Sequence, residues 1–276
     1  MKSIFFSLLL LGASLVAPAR PLASGSAPEY PDAVRIHDGW NELLRTHVSP
    51  GGEVDYRAIV AHPQALDDYL LRIKKMAPDA MEQWTENDKK AFWINLYNAA
   101  TVRIIASHYP ISSMQDIRIR SFLGSPKSPW EKSLVNVGGQ SYSLNEIEHL
   151  ILRKRYADPR IHFGLVCAAI SCPVLRDEAY LGPRLSQQLD EQAAKFINDP
   201  GKNILTGDMV MLSNVFDWYA ADFGLDEQAV LDYVNRYANV RVQRGARVSY
   251  LPYNWGLNER GSTPAPRTPV ANTAIR

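Results

Sequence analysis

Residues 87–108 constrain the fold more than any other stretch. Phe92, Trp93, Leu96, Tyr97, Ala100, Ile104 and Ile105 recur at helical spacing. They cover so wide an arc that the helix must be wrapped by other elements rather than laid on a surface. Thr85 or Asn87 supplies an N-cap, and Tyr109-Pro110 stops the helix. Such a rod needs further helices to cover it, and candidates lie on both sides. Residues 33–47 place Val34, Trp40, Leu43 and Leu44 on one helix. Gly51-Gly52 then breaks the chain, and a second amphipathic stretch carries Leu66, Tyr69, Leu70 and Ile73. Pro183 opens a helix over 183–197, and two more are read near 215–223 and 226–237.

Strand signals are shorter. Residues 133–137 and 140–143 flank Gly138-Gly139, and 203–206 with 209–212 flank Gly207-Asp208; both read as hairpins. Residues 161–167 read as a buried strand, and 247–251 as a last one. Ser143-Leu144-Asn145-Glu146 is a capping box, opening a helix with Leu144, Ile147, Leu150 and Ile151 on one side. Helices dominate and the strands pair locally. This predicts an α+β, helix-rich single domain with a small, mainly antiparallel sheet.

The ends bound that domain. Lys2, the apolar run from Ile4 to Val16 and Ala17-Pro18-Ala19 have the form of a signal peptide over 1–19. The run is short of the roughly 20 residues that span a bilayer. Residues 20–32 read as a linker, 33–258 as the domain, and 259–276, rich in Pro, Thr and Arg, as a disordered tail. The expectation is an exported, periplasmic or extracellular protein with no membrane span after signal removal. Basic and acidic side chains nearly cancel, at 30 against 29, and no basic run interleaves with aromatics. That argues against a nucleic-acid partner and leaves a protein or envelope ligand. Six Trp and thirteen Tyr suffice for a core and an aromatic-lined groove, with Asp217 and Trp218, or Tyr250 and Tyr253, as candidate walls. No cofactor is expected.

Reactive side chains concentrate between Glu146 and Cys172. Glu148, His149, His162, Cys167, Ser171 and Cys172 fall there, and these include both cysteines of the chain. A thiol nucleophile needs a base, usually His, and a third group to orient that base. Cys167 or Cys172 would attack, His149 or His162 would take the proton, and Glu148 or an amide, Asn95 or Asn98, would orient the ring. On a regular strand an odd separation puts His162 and Cys167 on opposite faces, unless the strand breaks near Gly164. Two other uses compete. An oxidising compartment favours a Cys167–Cys172 disulfide if the intervening turn doubles back. Zinc could be held by His149, His162 and a cysteine, with Glu148 beside them, but the spacing matches neither C-x-x-C pairs nor H-E-x-x-H. Asn95 and Asn98, three apart on one flank of the central helix, have an ordinary use in holding a loop's backbone. Ser171 lacks the G-x-S-x-G frame of a hydrolase elbow.

Several of these stretches together resemble a known family. Phe92-Trp93-Ile94-Asn95-Leu96-Tyr97-Asn98-Ala99, Leu144-Asn145-Glu146-Ile147-Glu148-His149 and the run from His162 to Pro173 are similar to the domain of unknown function 547 family. Val54-Asp55-Tyr56 and Tyr253-Asn254-Trp255-Gly256-Leu257-Asn258 fit as well, although the family's closing motif has an acid where this chain has Asn254. The resemblance implies kinship of fold over about 40–258 and names no reaction. The residues favour an exported binding or scaffold module of the cell envelope. The alternative is a thiol-dependent hydrolase or transferase acting on peptide or envelope substrates.

Overall fold

A computed structural model describes residues 32–119 and 127–261. The expected signal peptide, the linker up to residue 31 and the tail from residue 262 lie outside the described residues. The first helices are α1 (Asp32–Arg35), α2 (Asp38–His47), α3 (Tyr56–Ala61) and α4 (Gln64–Lys74). Residues 33–47 therefore form two helices rather than one. The break falls at Ile36-His37, where the His37 ring turns inward to the Tyr69 hydroxyl, 2.9 Å away.

Helix α5 (Glu86–His108) is the rod that the others cover. Thr85 caps it through a reciprocal pair with Asp88: Asp88 N–H donates to Thr85 Oγ1, and Thr85 N–H to Asp88 Oδ2. From Ala91 to Val102 every residue is buried, as expected of a helix apolar all round. Strands β1 (Val135–Val137) and β2 (Gln140–Tyr142) form an antiparallel hairpin turned at Gly138-Gly139, both at positive φ.

A π-helix follows over Glu146–Arg153, entered through the capping box, with Ser143 N–H donating to Glu146 Oε2 and Glu146 N–H to Ser143 Oγ. Its wide turns change the expected face. Leu150 points outward, 60% exposed, while Glu148 goes in. The turn α6 (Lys154–Tyr156) completes this arm.

The stretch read as a buried strand over 161–167 is a helical turn, α7 (Ile161–Gly164), and then extended chain. A short apolar run has the same sequence signature in either state. What decides it is Asp158, whose carbonyl accepts from Ile161 N–H and whose carboxylate accepts from Arg160 N–H, winding the chain just after Pro159. Helix α8 (Leu185–Ile197) follows a single 3₁₀ turn at Gly182–Arg184.

Strands β3 (Ile204–Leu205) and β4 (Met209–Leu212) pair antiparallel, and β5 (Arg247–Tyr250) joins β4 in parallel. The strands thus make a hairpin and a separate mixed sheet rather than one sheet. The helix read over 215–223 is two, α9 (Val215–Trp218) and α10 (Ala220–Phe223), and α11 (Glu227–Val234) is shorter than expected. The fold is helix-rich α+β. Among the described residues no helix is long and apolar enough to cross a membrane.

Candidate functional site

The two cysteines meet in a tight loop. Ala168 adopts φ 62°, a left-handed conformation uncommon for a residue with a Cβ, and the chain folds back so that Cys172 N–H donates to Ala169 C=O. The closing segment clamps this loop. Ile170 N–H donates to Gly256 C=O, Ser171 N–H to Asn254 C=O, Asn258 N–H to Ala168 C=O, and Asn254 N–H to Ser171 Oγ. Asn254 Oδ1 accepts from Gly256 N–H at 2.9 Å, a contact that a carboxylate at this place would also make.

The result is a contact of 2.8 Å between the Cys167 and Cys172 sulfurs. That is too long for the bond of about 2.05 Å that a disulfide requires, so the bridge weighed as one use of the pair is not formed here and both cysteines are free. The two differ in character. Burial pushes the Cys167 thiol up, and the neighbouring Cys172 sulfur adds to the rise. Burial also pushes Cys172 up, but hydrogen bonds from the Cys167 S–H, the Cys167 N–H and the Tyr253 hydroxyl, with the charge of Lys202, outweigh it and leave this thiol lowered. Lys202 Nζ donates to Cys172 C=O at 2.6 Å. Cys172 is buried, whereas Cys167 is partly exposed.

Cys167 and Cys172 help to line a pocket walled largely by aromatic rings, with a volume of about 40 Å³, room for only a few waters. Tyr97 from α5, Asn145 and Glu148 from the π-helix arm, His162 from α7, and Tyr253 and Trp255 from the closing segment all reach it. Each stretch of the chain that carries a motif, apart from Val54-Asp55-Tyr56, contributes a side chain. Trp218 stacks on Trp255 with ring centroids 5.7 Å apart, and Tyr253 packs against both. Two buried polar atoms in the lining have no partner: the Trp218 Nε1–H and the Asn145 carboxamide oxygen. One is a donor and the other an acceptor.

His162 is held from behind. Its Nε2–H donates to Asp222 Oδ2 at 2.6 Å, which leaves Nδ1 as its other nitrogen, and its ring stacks on Tyr219 at 3.9 Å. Arg153 grips the same carboxylate with two bonds, Nε to Oδ2 at 2.6 Å and Nη2 to Oδ1 at 3.0 Å, and lies over the Tyr219 ring. Burial alone would raise the Asp222 carboxyl, but His162 and Arg153 hold it well below the usual carboxylate range. Asp222 was invisible to sequence reasoning. The only trace is an acid lodged between Tyr219 and Phe223 in an otherwise apolar stretch.

The other expected residues divide. Glu148 is buried and accepts from the Tyr97 hydroxyl at 3.3 Å, so it faces the pocket and does not orient an imidazole. His149 accepts from Arg153 Nη1 and is not brought to a sulfur. Asn95 and Asn98 lie away from the chemistry. Asn95 bonds Tyr180 N–H and C=O, and Asn98 bonds Val166 N–H and Gly164 C=O, each imitating a strand partner for a loop. Among the described residues no imidazole hydrogen-bonds a sulfur, and no group of three or more His, Cys, Asp or Glu is placed to hold a metal.

A helix-rich α+β shell around a buried rod, with thiol, imidazole and carboxylate gathered beneath an aromatic wall, is the class this molecule falls in. Residues 81–197 match the family model described as "Protein of unknown function, DUF547". The match takes in α5, the π-helix, α7 and both cysteines. No curated protein and no solved structure matches the chain.

Proposed function

We propose that this is an exported, thiol-dependent hydrolase or transferase acting on peptide-like envelope material. Cys167 is the attacking sulfur, His162 the base, and Asp222 the group that orients the imidazole. The single observation that supports this reading is the convergence of His162 and Cys167 on one pocket, with the other nitrogen of His162 already tied to the partly buried, ionised Asp222 carboxylate. An imidazole fixed through Nε2 has only Nδ1 with which to take a thiol proton. Bases commonly stand loose from their nucleophiles until substrate arrives. The unpartnered Trp218 N–H and Asn145 oxygen match the carbonyl and N–H of an amide.

A thioester acyl donor tests this. Wild type should accumulate an acyl-enzyme on Cys167, seen as a mass increment, and Cys167→Ser should abolish it. An increment that survives Cys167→Ser, or none at all with any donor, overturns the assignment.

A second reading has its own support. The pocket is small, and the Cys167 sulfur contacts the Cys172 sulfur and the Tyr253 hydroxyl rather than an imidazole. This favours a binding module whose aromatic wall takes one side chain of a protein partner or one envelope group. Saturable ligand binding that is unchanged in Cys167→Ser would select it.

A further inference from the structure

We propose that Cys167 and Cys172 also act as a redox dithiol that exchanges with external disulfides, an activity distinct from acyl transfer. It shares with the proposed function only the premise that the Cys167 sulfur can be reached through the pocket.

Three features carry it. First, the sulfurs stand 2.8 Å apart, so closing the bond asks for a movement of only about 0.8 Å. Second, the loop between them is held in its doubled-back shape from outside, by the hydrogen bonds of Asn254, Gly256 and Asn258. The reduced pair is therefore preorganised for closure, and the cost of bringing the ends together is met by the fold. Third, the two cysteines are unequal in exposure. Cys167 is partly exposed and Cys172 is 4% exposed, the arrangement of an attacking and a resolving cysteine.

The chemistry balances as follows. With Cys172 in its thiolate form, the acceptor to which the Cys167 S–H already donates, the Cys167 proton passes to Cys172. The Cys167 thiolate then attacks one sulfur of an external disulfide; a mixed disulfide forms, and one thiolate leaves and takes the proton from Cys172. The Cys172 thiolate next attacks the Cys167 sulfur, breaking the mixed disulfide, and the second thiolate leaves and is protonated by solvent. The protein gives up two electrons and closes an intramolecular disulfide, while the external disulfide becomes two thiols. Closed in this way, Cys167 cannot serve as a nucleophile.

The test uses the full chain equilibrated in glutathione buffers from reduced to oxidised, then acid-quenched, alkylated and weighed intact. Wild type should pass from two alkylated thiols to none, with no lasting glutathione adduct, and return when reduced glutathione is restored. Cys172→Ser should stop at a glutathione adduct on Cys167. Cys167→Ser should react at least about 100-fold more slowly, since only the buried sulfur remains. Circular dichroism confirms that both variants are folded. Two free thiols in wild type at the most oxidising ratio, a persisting adduct in wild type, or equal rates for the two variants overturns the proposal. Failure here with Cys167 still forming an acyl-enzyme leaves the hydrolase reading intact. Exchange without any acyl-enzyme sinks the hydrolase reading alone.

Discussion

Asp222 accepts from His162 and Arg153 at once, and each donor depends on its charge. Replacing it with Asn keeps the shape but leaves His162 free to carry its proton on the other nitrogen. Asp222→Asn should slow acyl-enzyme formation by about 100-fold while circular dichroism stays native; an unchanged rate would remove Asp222 from the mechanism. Asn98 sets a contrasting case, because its two bonds go to buried backbone. Asn98→Ala should lower stability in urea by about 2–5 kcal/mol, as a buried N–H and C=O lose their partners. Chemical type made Cys167, Cys172, His162 and Glu148 legible as candidates from the sequence. Asp222 was not legible, since a carboxylate sixty residues away carries no signal of direction in its spacing. His149 was selected by the same logic of type and proximity, and Arg153, one helical turn on, claims it instead.

At the scale of elements, periodicity served best where a segment was long. The central rod, its Thr85 cap, both hairpins and the Ser143 capping box follow from the sequence and stand in the structure. Short apolar runs did not resolve. The turn of α7 depends on Asp158, and the inward face of the π-helix depends on its wide pitch, neither of which alternation can report. The α1–α2 break has a measurable consequence. Burial of His37 lowers its imidazole to about 3, against about 6.5 in an unfolded chain. As pH falls below 6.5 the unfolded chain takes a proton that the folded chain refuses, so stability declines from there down to about 3. Between pH 6.5 and 5 the loss from this residue should reach about 1.4 kcal/mol per pH unit. Urea midpoints of wild type and His37→Gln over that window should show it, with the variant less steep. Parallel slopes would refute the assignment.

For the molecule as a whole, Asp158 ties distant parts together. It receives Lys90 from α5 at 2.9 Å and Arg160, which in turn reaches Asp190 on α8. Burial would raise its carboxyl, but the bonds from Arg160 and Lys90 bring it down to about 2. A depressed carboxyl contributes stability that is complete above its unfolded value, near 3.9, and disappears as pH falls through about 2. The contribution is roughly 2 kcal/mol. Asp158→Asn should therefore flatten the acid limb of the unfolding curve between pH 4 and 2, and an unaltered limb would show that other carboxylates govern it.

The closing segment works over a still longer range. Tyr56 donates to Asn258 at 2.9 Å, and Val54 exchanges backbone bonds with Asn258 and Arg260. Asn258→Ala should loosen the sulfur loop and speed alkylation of Cys172 severalfold, read by mass spectrometry; a rate equal to wild type would show the clamp to be redundant. This closure also bears on synthesis. Asn254, Gly256 and Asn258, synthesised more than eighty residues after Cys172, supply bonds that hold the sulfur loop. A nascent chain stopped short of Tyr253 would lack these bonds and the Tyr253 hydroxyl that helps to lower the Cys172 thiol. The doubled-back shape of the sulfur loop thus rests on backbone partners that leave the ribosome well after it.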